Sequence, residues 1–203
     1  EDNLFYKEGD GKMKFDIVVG NPPYQKGDGS GGADDSAIPV YDSFVNIIKY
    51  LSPNFFTLIL PAKWMLGGRG LQKFREEMKN KMLKYYVTLN NWIGKKQKNI
   101  NLSSYFEKLG YNSVAIYGMK EVGERLYEEL KDTKTEVKYA VDQNAESIYA
   151  DIDVYSPDDD LPEVDVIVVT ATYYYNSILN NIKDKISCPI ISLDDVIAGA
   201  EEV

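Results

Sequence analysis

Residues 164–171 read VDVIVVTA, a run that is β-branched or small at every position except Asp165. A strand with one wet face alternates apolar and polar residues, whereas a continuous apolar run fits a strand covered on both sides, the position of a central strand in a parallel sheet. Working outward from it, residues 114–117 (VAIY), 137–141 (VKYAV) and 189–192 (PIIS) are also strand-like. Between them lie helical patterns: a short helix over Ser103–Leu109, Val122, Leu126 and Leu130 at i, i+4, i+8, residues 178–186, and a last turn over residues 193–197. Strand and helix alternate, which predicts α/β architecture with a parallel sheet.

The first half repeats the alternation in a sparser form. Residues 15–20 (FDIVVG) and 55–60 (FFTLIL) read as buried strands, stopped by Asn-Pro-Pro and by Pro61. Residues 26–35 (KGDGSGGADD) read as a mobile loop. Tyr41, Phe44, Val45, Ile48 and Leu51 mark one face of a helix ending before Pro53. After Gly67-Gly68-Arg69-Gly70 a second helix is expected, with Leu71, Phe74, Met78 and Met82 on one side. Residues 88–101 are polar, and the domain boundary is expected near them. The organisation is therefore two parallel-sheet α/β units, residues 1–88 and 111–203, with a basic linker and short helix over 89–110.

Composition narrows the chemistry. With 203 residues, 44% hydrophobic and 12% aromatic, the chain has material for packed cores, so wholesale disorder is excluded. There is no His, which removes Ser-His-Asp and Cys-His catalysis and His-ligated metals. Cys188 is alone, so no internal disulfide or cysteine-cluster metal site exists, and no metal is expected. No apolar run approaches a membrane span and no signal-peptide core is present. These features fit a cytoplasmic chain, and a start at Glu1 rather than Met fits a fragment. The net charge of −9 hides an asymmetry: residues 1–100 carry 15 basic and 11 acidic residues, residues 101–203 carry 8 and 21. Residues 63–98 hold ten bases against Glu76 and Glu77, a run that suits either a polyanion or an ordinary solvated helix face. Lys63, Arg69, Lys73 and Lys84 are its candidate nucleic-acid contacts.

The motif with chemistry in it is Asn21-Pro22-Pro23-Tyr24, directly after the strand ending in Gly20. Open α/β sheets bind ligands beyond the carboxyl ends of their strands. Two prolines stiffen the backbone and remove two N–H donors, leaving carbonyls. The Asn side-chain oxygen and a neighbouring carbonyl can then accept from one exocyclic amino group and stabilise positive charge building on its nitrogen. Tyr24 offers a ring on which an extruded base could stack. Taken bare, the same four residues are also a plausible strand-ending turn.

Residues 15–24 (FDIVVGNPPY), the helix from Tyr41, the strand-Pro-Ala-Lys-Trp segment 58–64 and the Gly-Gly-Arg-Gly turn resemble adenine-specific DNA amino-methyltransferases of the large bacterial restriction–modification type, over roughly residues 10–85. The resemblance implies S-adenosylmethionine-dependent methylation of adenine N6, with Asn21 and the Pro22 carbonyl at the amino group, Pro23 in the same catalytic motif, and Tyr24 stacked on the flipped base. It also implies a cofactor loop and a target-recognition domain that these residues do not supply. The first unit is thus expected to be an incomplete methyltransferase fold, inactive alone and weak on DNA.

In the second half, Gly118-Met119-Lys120-Glu121-Val122-Gly123 sits between a strand and a helix, and Asp142 ends the next strand. The layout is that of a dinucleotide fingerprint with its ribose acid, but Lys120 stands where the middle glycine belongs. Gly118, Lys120, Gly123 and Asp142 are the candidate cofactor-binding residues, for a nucleotide or NAD(P). Residues 111–197 resemble small Rossmann-like domains of polysaccharide and nucleotide-sugar enzymes. That implies an alternative function, a nucleotide or nucleotide-sugar binding module of surface-polysaccharide biosynthesis; a scaffold that binds nothing is a third. A permuted single domain, with Gly118–Gly123 serving the methionine part of the cofactor, would require residues 15–20 to pair with 114–117. Tyr173-Tyr174-Tyr175 fits packing better than base stacking, Cys188 an inert thiol, and Asp158-Asp159-Asp160 a solvated turn.

Overall fold

A computed structural model describes residues 15–23, 25–26, 38–51, 53, 55–60 and 72–201. The chain divides into two compact units, residues 1–80 and 81–203.

In the first unit, β1 (Ile17–Gly20) pairs in parallel with β4 (Phe55–Leu58), and Phe55 N–H donates to Asp16 O at 3.0 Å. A short antiparallel ladder joins β2 (Gln25–Lys26) and β3 (Ile38–Pro39). Helix α1 (Tyr41–Leu51) buries Val45, Ile48 and Leu51, the stripe expected from the sequence. Both main strands lie where the sequence puts them, but they are not the buried strands their composition suggests. Ile17, Val19, Phe55, Phe56 and Ile59 are all exposed and Val18, Gly20 and Leu58 are only half-buried, as fits strands with a single described neighbour each. The expected loop beyond Lys26, the Pro-Ala-Lys-Trp segment and the Gly-Gly-Arg-Gly turn lie outside the described residues.

Helix α2 (Gln72–Gln97) runs much further than the sequence reading allowed. Residues 89–97, read as linker, are its last turns, and the polar composition that suggested a boundary belongs to a helix with one buried edge. Thr88 and Trp92 are buried in the second unit. Trp92 Nε1–H donates to Glu129 Oε2 at 2.6 Å, and Leu102 N–H donates to Glu129 Oε1 at 2.8 Å.

The second unit is a five-stranded, all-parallel sheet. Its strands are β5 (Ser113–Tyr117), β6 (Glu136–Val141), β7 (Val154–Tyr155), β8 (Val166–Val169) and β9 (Ile190–Ser192), in the spatial order β7-β6-β5-β8-β9. Numbered from the unit's first strand this is 3-2-1-4-5, the doubly wound order, with its switch point between β5 and β8. Alternation along the strands feeds two cores. Val114, Ile116, Ala140, Val166 and Val168 face helices α3 (Ser103–Leu109), α4 (Glu121–Leu130) and α6 (Leu193–Gly199), together with Trp92 of α2. Ala115, Tyr117, Tyr139, Val141, Ile167 and Val169 face α5 (Tyr175–Ile182). Every residue of β8 is fully buried, as VDVIVVTA requires. Helix α5 starts and ends earlier than expected, because a 3-10 turn over Thr172–Tyr174 leads straight into it. The two-residue β7 carries too little pattern to be read from sequence. Because β5 is paired on both sides, by β6 and β8, it has no edge for residues 15–20, and the permuted single domain is excluded. Among the described residues no helix is long and apolar enough to cross a membrane.

Two packing details carry testable consequences. Burial pushes the Tyr139 hydroxyl up to about 12, with smaller contributions from Cys188 and Tyr155, while it donates to Pro162 O at 2.7 Å. A phenol whose folded value exceeds its unfolded value of about 10 gives stability that is complete below pH ~10 and lost as pH rises toward ~12. Denaturant titrations should therefore show stability level up to pH ~9.5 and falling above it, with Tyr139→Phe flattening part of that fall. A Cβ on Gly123 would stand 2.1 Å from Gly118 O, and Gly118 itself holds φ +98°. Gly123→Ala should accordingly cost at least ~1–3 kcal/mol in urea unfolding; an unchanged midpoint would contradict the packing.

Candidate functional site

Asn21, Pro22 and Pro23 follow β1 at its carboxyl end, the end where α/β sheets place ligands. Gly20 closes the strand tightly: Leu58 Cδ2 lies 3.3 Å from where its Cβ would be, and Gly20 O accepts from Ile59 N–H at 3.0 Å. Pro22 is buried, whereas Asn21 and Pro23 are exposed. The turn is thus anchored through one proline with the Asn side presented outward, an arrangement able to offer oxygen acceptors to an amino group. Tyr24 lies outside the described residues.

In the second unit the structure brings Gly118, Lys120, Gly123 and Asp142 to the switch point, but it uses most of them internally. Gly118 turns the chain out of β5 with its positive φ, and its carbonyl accepts from Thr170 Oγ1 at 2.6 Å. Gly123 lets α4 rest on that carbonyl. Lys120 occupies the N-cap of α4 without a side-chain cap bond. Asp142 is buried, its Oδ2 accepting from Met119 N–H at 3.1 Å and its Oδ1 from Asn144 N–H at 3.0 Å. The acid in the ribose position is therefore occupied holding its own loop. Glu121 and Glu124 fill the first turn of α4, where a phosphate would need the positive end of the helix. These groups do not fit a dinucleotide phosphate.

Residues the sequence did not single out also meet at this end of the sheet. Thr88 Oγ1, fully buried, donates to Asp194 Oδ1 at 2.6 Å and lies 3.3 Å from Thr172 Oγ1. Lys84 Nζ sits 2.5 Å from Asp194 Oδ2, so one of the candidate nucleic-acid contacts has its charge matched inside the unit. Lys73 is exposed, and Lys63 and Arg69 lie outside the described residues. The only available signal for Thr88 and Asp194 was a polar residue in a helical register, which becomes informative once strand order is known. The Tyr cluster packs: Tyr175 OH donates to Ile190 O at 2.9 Å, and Tyr173 and Tyr174 meet edge to face at 5.0 Å. Burial raises the Cys188 thiol, as suits an inert side chain. Lys185 pairs with Asp158 at 3.0 Å, and no group of three possible metal ligands occurs among the described residues.

S-adenosylmethionine, the methyl donor the resemblance implies, needs a glycine-rich turn after one strand and an acid for its ribose. Among the described residues of the first unit no strand end brings these together, and in the second unit Asp142 and the acidic start of α4 are arranged against it. The described residues do not form its pocket.

Residues 1–93 match the family model described as Eco57I restriction-modification methylase. The chain is 31% identical over 123 residues to a protein of Mycoplasma pneumoniae (strain ATCC 29342 / M129 / Subtype 1) described as an uncharacterized adenine-specific methylase. That match covers 49% of this chain and 29% of the relative, so the chain spans less than a third of the relative's length. A chorismate mutase/shikimate 5-dehydrogenase fusion protein from Clostridium acetobutylicum overlays with a TM-score of 0.35 and 14% identity, covering 92% of this chain and 88% of that one. Residues 1–93 therefore resemble a restriction-modification methylase, and about half of the chain resembles an adenine-specific methylase, in line with the resemblance read from the sequence.

If Asp142 serves its own loop, Asp142→Ala leaves two backbone N–H groups without their acceptor and should destabilise the second unit by ~1–3 kcal/mol. Chemical denaturation followed by the near-UV signal of the buried Trp92 measures this; unaltered stability would return Asp142 to the pool of ligand-binding residues.

Proposed function

We propose that this chain is part of an S-adenosylmethionine-dependent DNA methyltransferase acting on the N6 amino group of adenine, and that the Asn-Pro-Pro turn after β1 carries its base-binding contacts. The observation behind this reading is the position of Asn21: exposed at the carboxyl end of a parallel strand, within the stretch that matches the Eco57I methylase model. The Asn21 side-chain oxygen and the Pro22 carbonyl would accept the two amino hydrogens, drawing the nitrogen lone pair out of ring conjugation. Pro23 keeps the two acceptors in a fixed relation by restricting φ. Tyr24 would stack on the extruded adenine. In the whole enzyme S-adenosylmethionine, held by residues other than the described ones, would supply an electrophilic methyl group. A reducing cytoplasm is the compartment in which such an enzyme meets DNA.

For the second unit, the nucleotide or nucleotide-sugar alternative draws on the 3-2-1-4-5 strand order and on the positive φ of Gly118. The commitment of Asp142 and the acidic first turn of α4 favour a scaffold instead. Thermal-shift screening against S-adenosylmethionine, NAD(P) and sugar nucleotides separates these readings.

In the full-length enzyme Asn21→Ala should abolish adenine methylation, by ~10²-fold or more as for other lost polar contacts to a charge-developing centre, without changing the circular dichroism spectrum. Turnover at the wild-type rate would remove the catalytic claim. Residues 1–203 alone should not methylate DNA. They should bind duplexes weakly and without sequence preference, with affinity vanishing by ~150 mM salt because few counterions are released. Tight binding to one defined duplex at that salt would show that the recognition surface is already present.

A further inference from the structure

From Lys81 onward helix α2 engages most of its lysines within its own unit and leaves a row of apolar side chains exposed. From residue 81 to 98 it and its C-terminal turn carry five lysines and no acid. Four of the lysines face their own unit. Lys84 pairs with Asp194 and Lys96 with Glu129. Lys95 Nζ donates to Ala200 O at 2.6 Å, and Lys81 Nζ lies 5.0 Å from the centre of the Tyr174 ring. On the opposite side Met82, Leu83, Tyr86, Val87, Leu89 and Ile93 are exposed by 66, 53, 66, 43, 38 and 56%. At about 100° per residue these six occupy one arc of roughly 160°, with Asn90 near its middle and no charged residue inside it between Met82 and Ile93, although Lys79, one turn earlier, lies on the same line.

We propose that this face is a homodimer interface, in which α2 packs antiparallel against α2 of a second copy about a two-fold axis near Asn90. Met82, Tyr86, Leu89 and Ile93 follow a 4-3-4 spacing, the repeat with which one helix packs along another. Self-pairing places no like charges in contact between Met82 and Ile93, Lys79 falls beyond the end of the second copy's helix at Gln97, and the antiparallel sense sends the Lys95–Lys96–Lys98 groups to opposite ends. Between Met82 and Ile93 the arc itself offers no cation to a polyanion or an acidic lipid surface; the lysines nearest to it, Lys79, Lys95 and Lys98, lie at its ends. Asn90 would be a buried amide without a partner against a purely apolar surface, whereas a two-fold axis brings it to an identical amide able to donate and accept. The same axis sets Tyr86 against the second copy's Gly94, which has open space where a Cβ would be, and Ile93 against the second copy's Val87. At roughly 150–200 Å² per large side chain the exposed fractions leave about 500–650 Å² per copy. The pair would bury on the order of 1,000–1,300 Å², at the low end of specific interfaces, so the dimer is weak and concentration-dependent.

Sedimentation equilibrium of the 203-residue chain tests this. The expected weight-average mass rises from 23.0 kDa toward twice that value across the micromolar range. Ile93→Glu and Tyr86→Glu should hold it at the monomer with unchanged circular dichroism, both side chains lying outside the cores. In a Cys188→Ser background, Asn90→Cys should form an intermolecular disulfide when copper–phenanthroline and oxygen take up the two thiol electrons. Tyr149→Cys, 98% exposed elsewhere, should not under the same conditions. A wild-type chain that stays monomeric at hundreds of micromolar overturns the proposal. So does association that survives Ile93→Glu, which would place the contact on another surface such as the open faces of β1 and β4.

Discussion

The second unit depends on one contact, the seating of α4 on the carbonyl of Gly118. Thr170 Oγ1 donates to that carbonyl from the end of β8, and Gly123 approaches it so closely that no side chain could intervene. The contact therefore ties the two strands at the switch point to the first crossover helix at a single atom. With α4 fixed, Leu126 and Leu130 fall over Val114 and Ile116, and the parallel order on both sides of β5 follows. Asp142 completes the turn by holding Met119 N–H, so the loop is braced by the neighbouring strands on both sides. A glycine pattern that elsewhere admits phosphate here serves close packing between backbone segments.

This explains why the sequence was a good guide to architecture and a poorer one to chemistry in the same residues. VDVIVVTA carried enough β-branched density to identify a strand buried on both faces, and the fully buried β8 agrees. The Val122, Leu126, Leu130 spacing located α4 correctly. Whether Asp142 faces a ligand or its own loop depends on where residues 119 and 144 point, which no local pattern encodes. The same holds for Thr88 and Asp194, 106 residues apart in sequence and 2.6 Å apart in space. Asn90-Asn91 and the lysines after them look like a linker in the sequence, which hides the full length of α2. They are the polar residues of a helix whose other edge, Thr88 and Trp92, is buried.

The first unit shows the converse. Its strands and α1 were legible, down to the register of Val45, Ile48 and Leu51 on the buried face. Their environment was not, since an apolar run reports the setting it was selected for, and two strands with one described neighbour each do not reproduce it. Exposed Ile17, Val19, Phe55 and Phe56 are the residue of that mismatch. The Asn-Pro-Pro turn is less affected, because its geometry rests on local factors: proline rings, the Gly20 closure against Leu58, and burial of Pro22.

The distribution of charge follows from the same logic. Counted along the chain, residues 63–98 look like a surface for a polyanion. In the folded chain Lys84, Lys95 and Lys96 instead neutralise Asp194, the carbonyl end of α6 and Glu129. Glu129 also accepts from Trp92 and from Leu102 N–H, so a carboxylate with little solvent access is balanced by one cation and two donors. An acidic unit with a lone basic helix is stabilised when that helix spends its charge locally, and a charge so engaged attracts a distant polyanion weakly, because its field is cancelled within a few ångströms. Clustered lysines in a sequence thus report electrostatic balance within the fold as readily as a nucleic-acid surface, and the count of unmatched cations, rather than of cations, decides between them.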